Sequence, residues 1–415
     1  QTVDQNKIDS LLHIIESENE YIGSVSIFKH GKEIYNRSFG QKNLGNIRYT
    51  KNTKYQIGSI TKTVTAALLF KLVEKGELSL DEKLSGYFPK VPNSSKISIK
   101  NLLEHSSGLK DFSVKNDSID WLKEKVSEQE IWQEIIRQGY DFEPGEKVDY
   151  SNSGYYILTK IIETKYGKPY KTLVQDHIAQ PLGLKNFHSI QSSDQNIFKS
   201  YSFKENWEEI KDFDFSNAIG VGDIVSTTYD LNRFLTHLFE YKILKKETVE
   251  LMKPVIGKEM FGRGLMLVPY YEIYSFGHGG DTYGTHSLSA YNEERDISIS
   301  YSINAARKSV NRFGLRLVSL IYGAQLPDKE ISLSPEELNQ YTGIYSSPEL
   351  PIKLTIKIEN GKLTGQGDGQ PSFPLTCYEK NHFKFDKAMV KLEFIPTENK
   401  MILMQNGHKF EMKRQ

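Results

Sequence analysis

The sequence predicts an α+β protein that carries a small all-β domain at its C-terminal end. Two observations carry this. Strand patterns stand at both ends of residues 1–326 with helical patterns between them, which makes a mixed layer with a helical insertion. From Tyr341 onward the pattern changes to period two: Ile352, Leu354, Ile356 and Ile358 alternate with Lys and Thr, and Asn360-Gly361 and Asn406-Gly407 mark hairpin turns. Pro327 and Pro335 bracket a linker. The expected units are therefore residues 1–326, a linker at 327–335, and a barrel-like domain at 336–415.

Taken in order, Ile8, Leu11, Leu12, Ile14 and Ile15 recur at helical spacing within residues 4–18. Residues 24–28 and 33–39 read as strands joined by His30-Gly31-Lys32. Gly58 acts as a breaker before a run to Glu74 whose apolar residues cover nearly the whole circumference, and a helix apolar all round is a buried helix. Residues 76–82 read as a turn into a short helix, and residues 97–109 as a helix ended by glycine. Residues 119–139 read as one amphipathic helix. Residues 142–149 deliver Tyr150-Ser151-Asn152 to the start of a helix over 155–165, and residues 169–180 continue the helical region. Residues 190–216 read as polar loop. Ile219-Gly220-Val221-Gly222-Asp223 is a glycine-rich turn without the strand–turn–helix context of a phosphate loop. A capped helix over 226–239 follows. A strand over 274–276 then leads into Gly277-His278-Gly279-Gly280-Asp281 at a strand edge, before paired strands at 285–291 and 297–303 and a closing helix over 310–321. Residues 383–385, 390–394 and 401–404 supply further strands of the last domain.

Composition narrows the function. Lys plus Arg and Asp plus Glu both number 53, so the chain lacks the basic footprint of a nucleic-acid binder. No stretch of about 18 apolar residues exists to cross a bilayer. Cys377 is the only cysteine, which excludes an internal disulfide and a cysteine-based metal site. No metal or cofactor is expected. The chain begins at Gln1 rather than Met, which is read as trimming by signal-peptide removal or by design, and a periplasmic or secreted location is expected.

The chemistry centres on Ser59-Ile60-Thr61-Lys62. Ser-x-x-Lys occurs three times, but Ser26–Lys29 lies in a strand pattern whose ends face opposite ways, and Ser107–Lys110 spans a turn at Gly108. Only Ser59 opens a buried helix. Lys62 shares its face, at a Cβ separation of roughly 5–6 Å, and an amine beside the hydroxyl can activate a serine without histidine. Tyr150-Ser151-Asn152 is the only Tyr-x-Asn in the chain. An adjacent ammonium favours the Tyr150 phenolate, and Asn152 could donate to a substrate carbonyl and orient Lys62. At His278-Gly279-Gly280 the glycines let a substrate backbone approach closely, and the amides of Ser59 and Asp281 could form an oxyanion hole. Each element has an ordinary reading when taken singly: a packed tyrosine, a helix cap, a glycine bulge. His105 reads as a structural histidine beside a helix end.

Together these motifs resemble the serine β-lactamase and penicillin-recognising family, particularly its class C-like branch. That branch carries Ser-x-x-Lys, Tyr-x-Asn and Lys/His-x-Gly in this order. Leu102-Leu103-Glu104-His105-Ser106-Ser107-Gly108-Leu109, Glu143-Pro144-Gly145 and Gly222-Asp223-Ile224-Val225-Ser226-Thr227 look familial too. The resemblance covers roughly residues 5–325, and the C-terminal part resembles the β-barrel domain that some peptidase and esterase members append. It implies a β-lactamase/D,D-peptidase-like antiparallel sheet flanked by helices. It also implies an acyl-enzyme on Ser59, with Tyr150 as phenolate base, Lys62 tuning both, Asn152, His278, Gly279 and Gly280 holding substrate, and the Ser59 and Asp281 amides binding the oxyanion. The third motif departs from the usual Lys-Thr-Gly, since His278 is mostly neutral and Gly279 has no hydroxyl. The expectation is a peptidase for small or D-residue-containing peptides. The alternatives are a carboxylesterase, a weak β-lactamase or D,D-carboxypeptidase, and a catalytically silent peptide- or ligand-binding protein. On this reading a lysine at position 278 would favour carboxylate-bearing substrates.

Overall fold

The structure is a computed structural model that describes residues 3–45, 49–191, 193–323 and 331–415. Helix α1 (Gln5–Ser17) is capped by Asp4 and buries Ile8, Leu11, Leu12 and Ile15. It is followed by the hairpin of β1 (Tyr21–Lys29) and β2 (Lys32–Phe39). Short β3 (Tyr55–Gln56) leads through a 3-10 turn, Gly58–Ile60, into α2 (Thr61–Glu74), which is buried from Thr61 to Phe70. Three further helices follow: α3 (Ile99–Leu103), α4 (Glu128–Gln138) and α5 (Asn152–Tyr166). Then come β4 (Phe187–Ser189), β5 (Ser200–Phe203), β6 (Trp207–Ile210) and β7 (Ile224–Ser226). The helix Thr228–Phe239 follows, and β8 (Met266–Tyr270), β9 (Ile273–Asp281), β10 (His286–Asn292) and β11 (Ile297–Ala306) complete the strands of this part.

The main sheet runs β2-β1-β11-β10-β9-β8, and β5, itself paired with β6, adds to β11. Its β1–β2, β1–β11, β10–β11, β9–β10 and β8–β9 pairs are antiparallel. Because side chains alternate along a strand, Val25, Ile27, Ile299, Tyr301 and Ile303 join α1 and the helix Val310–Tyr322 in one core. The opposite face carries hydroxyls. Ser287 pairs with Ser302 and Ser289 with Ser300, both at 2.7 Å, and Ser24 reaches the Tyr55 hydroxyl at 2.7 Å. This face meets the helical layer, where Asn232 of the helix Thr228–Phe239 donates to the Ser26 carbonyl at 2.9 Å. His278 and Gly280 lie opposite Ser289 and Ser287 in the register, so they share that inward face.

The nine C-terminal strands run in order from Phe373–Pro374 to Thr376–Glu379. These two edge strands are separated only by Leu375, so both edges of the sheet come together and it curls into a nearly closed barrel. At both Asn360-Gly361 and Asn406-Gly407 the two turn residues have positive φ, the geometry that matches hairpin twist. Tyr341, Ile356, Phe383, Leu392, Phe394 and Met401 belong to a core cluster of their own.

Several sequence expectations change. Residues 119–139 split into a 3-10 turn, Asp120–Lys123, and α4, because Ser127 and Glu130 form a capping box that starts the helix afresh. The helix expected over 97–109 ends at Leu103, and His105 takes a positive φ of 57°. Residues 76–82 contain no helix. The stretch 190–216 is not all loop, since β5 and β6 lie there with polar residues on the exposed side. β8 pairs with β9 only as far as Gly277, so among the described residues no strand covers His278-Gly279-Gly280 on that side, and they keep the edge position the sequence predicts. Of the expected linker, 327–330 falls outside the described residues; Ile331 donates to the Cys377 carbonyl at 2.9 Å and Pro335 begins a helix.

Candidate active site

The turn that holds Ser59 packs directly on β9. Gly58 has φ +53°, and a Cβ there would sit 2.7 Å from the Asp281 carbonyl oxygen. A Cβ on Gly280 would sit 1.8 Å from the Ile57 carbonyl oxygen, while one on Gly279 would meet nothing nearer than 4.0 Å. Gly280 therefore serves the close approach of the Ser59 turn to the sheet, and Gly279 marks the open face. Ser59 is left half-buried between wholly buried neighbours.

Lys62 follows one turn later and is fully buried. Its Nζ lies 2.8 Å from Ser59 Oγ, 3.3 Å from the Val221 carbonyl oxygen and 4.8 Å from the centre of the Tyr150 ring. Loss of water pulls its pKa down to about 7, and the Asp111 carboxylate opposes that shift. A lysine so placed is substantially neutral near pH 7 and can accept the Ser59 proton. Val221 is presented by the glycine-rich turn, which the buried Asp223 carboxylate ties down by accepting from the Gly220 amide at 2.6 Å and from Ser189.

Tyr150 is held by ring contacts. His105 stacks on it with ring centres 4.3 Å apart, and Phe261 approaches at 5.3 Å. His105 also accepts from the Ser151 amide at 3.2 Å, and burial keeps the imidazole neutral by moving its pKa well below the usual histidine value. Burial likewise pushes the Tyr150 phenol well above 10, with the Ser59 hydrogen bond opposing. Burial thus favours the protonated phenol over the phenolate inferred from sequence, and of the two groups Lys62 is the one whose neutral form is within reach near pH 7. Desolvation is the largest influence on the ring oxygen, and the Asp111 and Asp281 carboxylates push in the same direction.

Asn152 opens α5 without capping it. Its Nδ2 donates to Asp111 Oδ2 at 2.8 Å and to Ser113 Oγ at 3.2 Å. The influence of Asn152 on Lys62 thus runs through the charge of Asp111. His278 faces inward, 3% exposed. Desolvation and the nearby Lys62 pull its pKa down to about 3. Like Lys62, His278 is buried, and like Lys62 and Tyr150 it lies behind the residues that line the cleft. Asp281 does line it, with its carboxylate exposed and 2.5 Å from His286 Nδ1.

Ser59, Asn152 and Asp281 border a cavity of about 220 Å³. Phe112, Ile119, Leu122, Phe213 and Phe215 form its apolar wall, and Asp214 also lines it, with no Lys or Arg among the described lining residues. Sequence reasoning brought out Ser59, Lys62, Tyr150 and Asn152. It missed Asp111, Val221, Phe213 and Phe261, which lie in loops without periodicity and meet the site only through tertiary packing. Among the described residues no group of three or more His, Cys, Asp or Glu side chains could hold a metal ion, and no helix is long and apolar enough to cross a membrane.

Known proteins resemble this chain in sequence and in fold. The family described as Beta-lactamase matches residues 16–321. The teichoic acid D-alanine hydrolase of Staphylococcus aureus (strain MRSA252) is 27% identical over 243 residues, which is 58% of this chain and 59% of that protein. The chain thus spans less than two thirds of that relative's length. The D-amino acid amidase of Ochrobactrum anthropi SV3, solved with L-phenylalanine, has a TM-score of 0.70 at 26% identity, over 77% of this chain and 99% of that one. The octameric penicillin-binding protein homologue of Pyrococcus abyssi shares the fold, with a TM-score of 0.67 at 23% identity over 99% of both chains.

Proposed function

Because the chain belongs to the beta-lactamase family of serine hydrolases, we propose that it hydrolyses amides, small peptides or esters of D-amino acids that bear a free α-ammonium, through an acyl-enzyme on Ser59. The observation that carries the reading is the charge of the cleft. Its lining offers Asp214 and Asp281, with Asp111 behind Asn152, and the lysine beside Ser59 has its pKa lowered to about 7, so that it carries only part of its charge. Such a site attracts an ammonium and gives a carboxylate no partner. The apolar wall receives the side chain. The names of two similar proteins, a D-amino acid amidase and a teichoic acid D-alanine hydrolase, support the D-amino acid part. A site of action outside the cytoplasm goes with this reading.

In the proposed cycle, neutral Lys62 takes the Ser59 proton as Oγ attacks the carbonyl, and the amides of Ser59 and Asp281 receive the oxyanion. Tyr150 gives its proton to the leaving nitrogen or oxygen and regains one from Lys62. Water then attacks the acyl-enzyme, losing its proton by the same route, and Ser59 is restored with release of the acid. The apolar wall also favours a second reading, a carboxylesterase for neutral acyl groups. A β-lactamase or D,D-carboxypeptidase is disfavoured by the buried, neutral His278, which supplies no cation.

The test is a panel of D- and L-alanine amides, their N-acetyl derivatives, p-nitrophenyl acetate and a chromogenic cephalosporin. The expected order is D-alanine amide first, with N-acetylation lowering kcat/KM at least about tenfold through loss of a charge-assisted contact. A preference for the acetylated or neutral substrates would replace this reading with the esterase. A chain that never forms an acyl adduct on Ser59 would be a binding protein.

A further inference from the structure

We propose that the C-terminal barrel sets the position of Tyr150 through the segment 254–262, with Phe261 as the positioning residue. This rests on the reading of Tyr150 as the proton donor. The Tyr150 ring is placed by packing, between the His105 ring at 4.3 Å and the Phe261 ring at 5.3 Å. Phe261 also meets the His105 ring edge-on at 5.5 Å, so one phenyl group braces both partners. A ring held this way points its hydroxyl wherever its neighbours allow.

The segment that carries Phe261 has little core of its own. Val255 and Ile256 are 50% and 43% exposed. Its placement depends on what flanks it. At the active-site end, Arg263 grips the Glu104 carboxylate, with Nε at 2.7 Å and Nη2 at 2.6 Å, one residue before His105. In the middle it lies against the barrel. A Cβ on Gly257 would stand 3.2 Å from the Gly407 carbonyl oxygen, and one on Gly407 would stand 3.3 Å from Ile256 Cγ2. Gly407 is at the tip of a barrel hairpin, between strands Lys400–Gln405 and His408–Arg414.

The barrel is fastened to the rest of the chain elsewhere. The Tyr271 hydroxyl donates to Asp386, Lys391 pairs with Glu272 at 2.8 Å, and Asn311 Nδ2 donates to the Lys387 carbonyl at 3.3 Å. These contacts hold it on the β8–β9 turn and on the start of the helix Val310–Tyr322. The segment is thus caught between a fixed hairpin tip and the Tyr150 ring, and a shift of the barrel is passed to the phenol.

The experiment uses full-length Phe261→Leu, Phe261→Tyr, the barrel-side double variant Asp386→Ala/Lys391→Ala, and Tyr150→Phe as the reference. The readout is kcat for D-alanine amide, whose leaving amine needs a proton, divided by kcat for D-alanine p-nitrophenyl ester, whose leaving group departs as an anion. Phe261→Leu is expected to lower this ratio about tenfold with KM little changed, as a misplaced but present donor does. Phe261→Tyr, which keeps the ring, should restore it. The double variant should lower it about threefold, in the same direction. An unchanged ratio in Phe261→Leu, or an equal fall on both substrates, overturns the proposal, and so does an unchanged ratio in the double variant. If Tyr150→Phe leaves the ratio alone while Phe261→Leu moves it, the proton-donor reading fails and the brace stands. If Tyr150→Phe moves it and Phe261→Leu does not, the brace fails alone.

Discussion

Adding one methyl group at position 280 tests how Ser59 is presented. In Gly280→Ala the new Cβ would lie 1.8 Å from the Ile57 carbonyl oxygen. Real contacts of this kind are not shorter than roughly 3.0 Å, so the turn and the strand must separate by about 1.2 Å in a close-packed region with backbone on both sides. That displacement acts on the 2.8 Å contact between Lys62 and Ser59 and on the alignment of the Ser59 and Asp281 amides. A misplacement of about 1 Å can cost roughly 10²-fold in rate, and overpacking costs about 1–3 kcal/mol. We expect kcat/KM for D-alanine p-nitrophenyl ester to fall about 10²-fold and Tm to drop measurably. The partner variant, Gly279→Ala, meets nothing nearer than 4.0 Å. It should change stability by no more than about 0.5 kcal/mol, with any functional effect confined to KM. Wild-type rate and Tm in Gly280→Ala would refute the packing argument, and equal damage from both variants would show that the two faces of β9 are not distinguished as described.

Four other outcomes follow from the same geometry. Ser59→Ala should fold normally and lose turnover, and intact-mass measurement with a slow acyl donor should show no adduct; most activity retained would remove Ser59 from its role. The acid limb of kcat/KM should have its midpoint near pH 7, because the Lys62 pKa is lowered to about 7 and only the neutral amine accepts a proton, so activity rises with pH through that value; a limb near pH 4 would point to a carboxylate base. His278→Lys should destabilise the fold by about 3 kcal/mol or more, since it buries a cation with no carboxylate partner beside the Lys62 amine, and should bring no gain on carboxylate-bearing substrates; a gain there would place position 278 on the cleft, as the sequence reading had it. We also propose that residues 1–330 form a folding unit that keeps Ser59 reactive towards a small activated ester, while amide turnover falls; an insoluble fragment would mean a core shared with the barrel.

Much of the site was legible in the chain because its first step is local. Ser59 and Lys62 sit three residues apart at the start of an all-apolar helix, and helical geometry alone brings them together. The barrel was legible for a similar reason, from period two and two Asn-Gly turns. Helix starts were less legible: Ser127 with Glu130 splits what reads as one amphipathic run, and the hydrophobic period does not register a capping box. Period two does place His278 and Gly280 on one face of β9. It does not say which face looks inward, and that was decided by the turn at Gly58–Ile60 packing beneath the strand. The protonation states were decided in the same way. The sequence suggests a phenolate beside an ammonium; in the fold, Lys62 and Tyr150 are buried together, and desolvation favours the neutral form of each. Spacing along a helix or strand is a property of a few consecutive residues. Burial is set by everything packed around a group, including Asp111, Val221, His105 and Phe261, and only the tertiary structure assembles those.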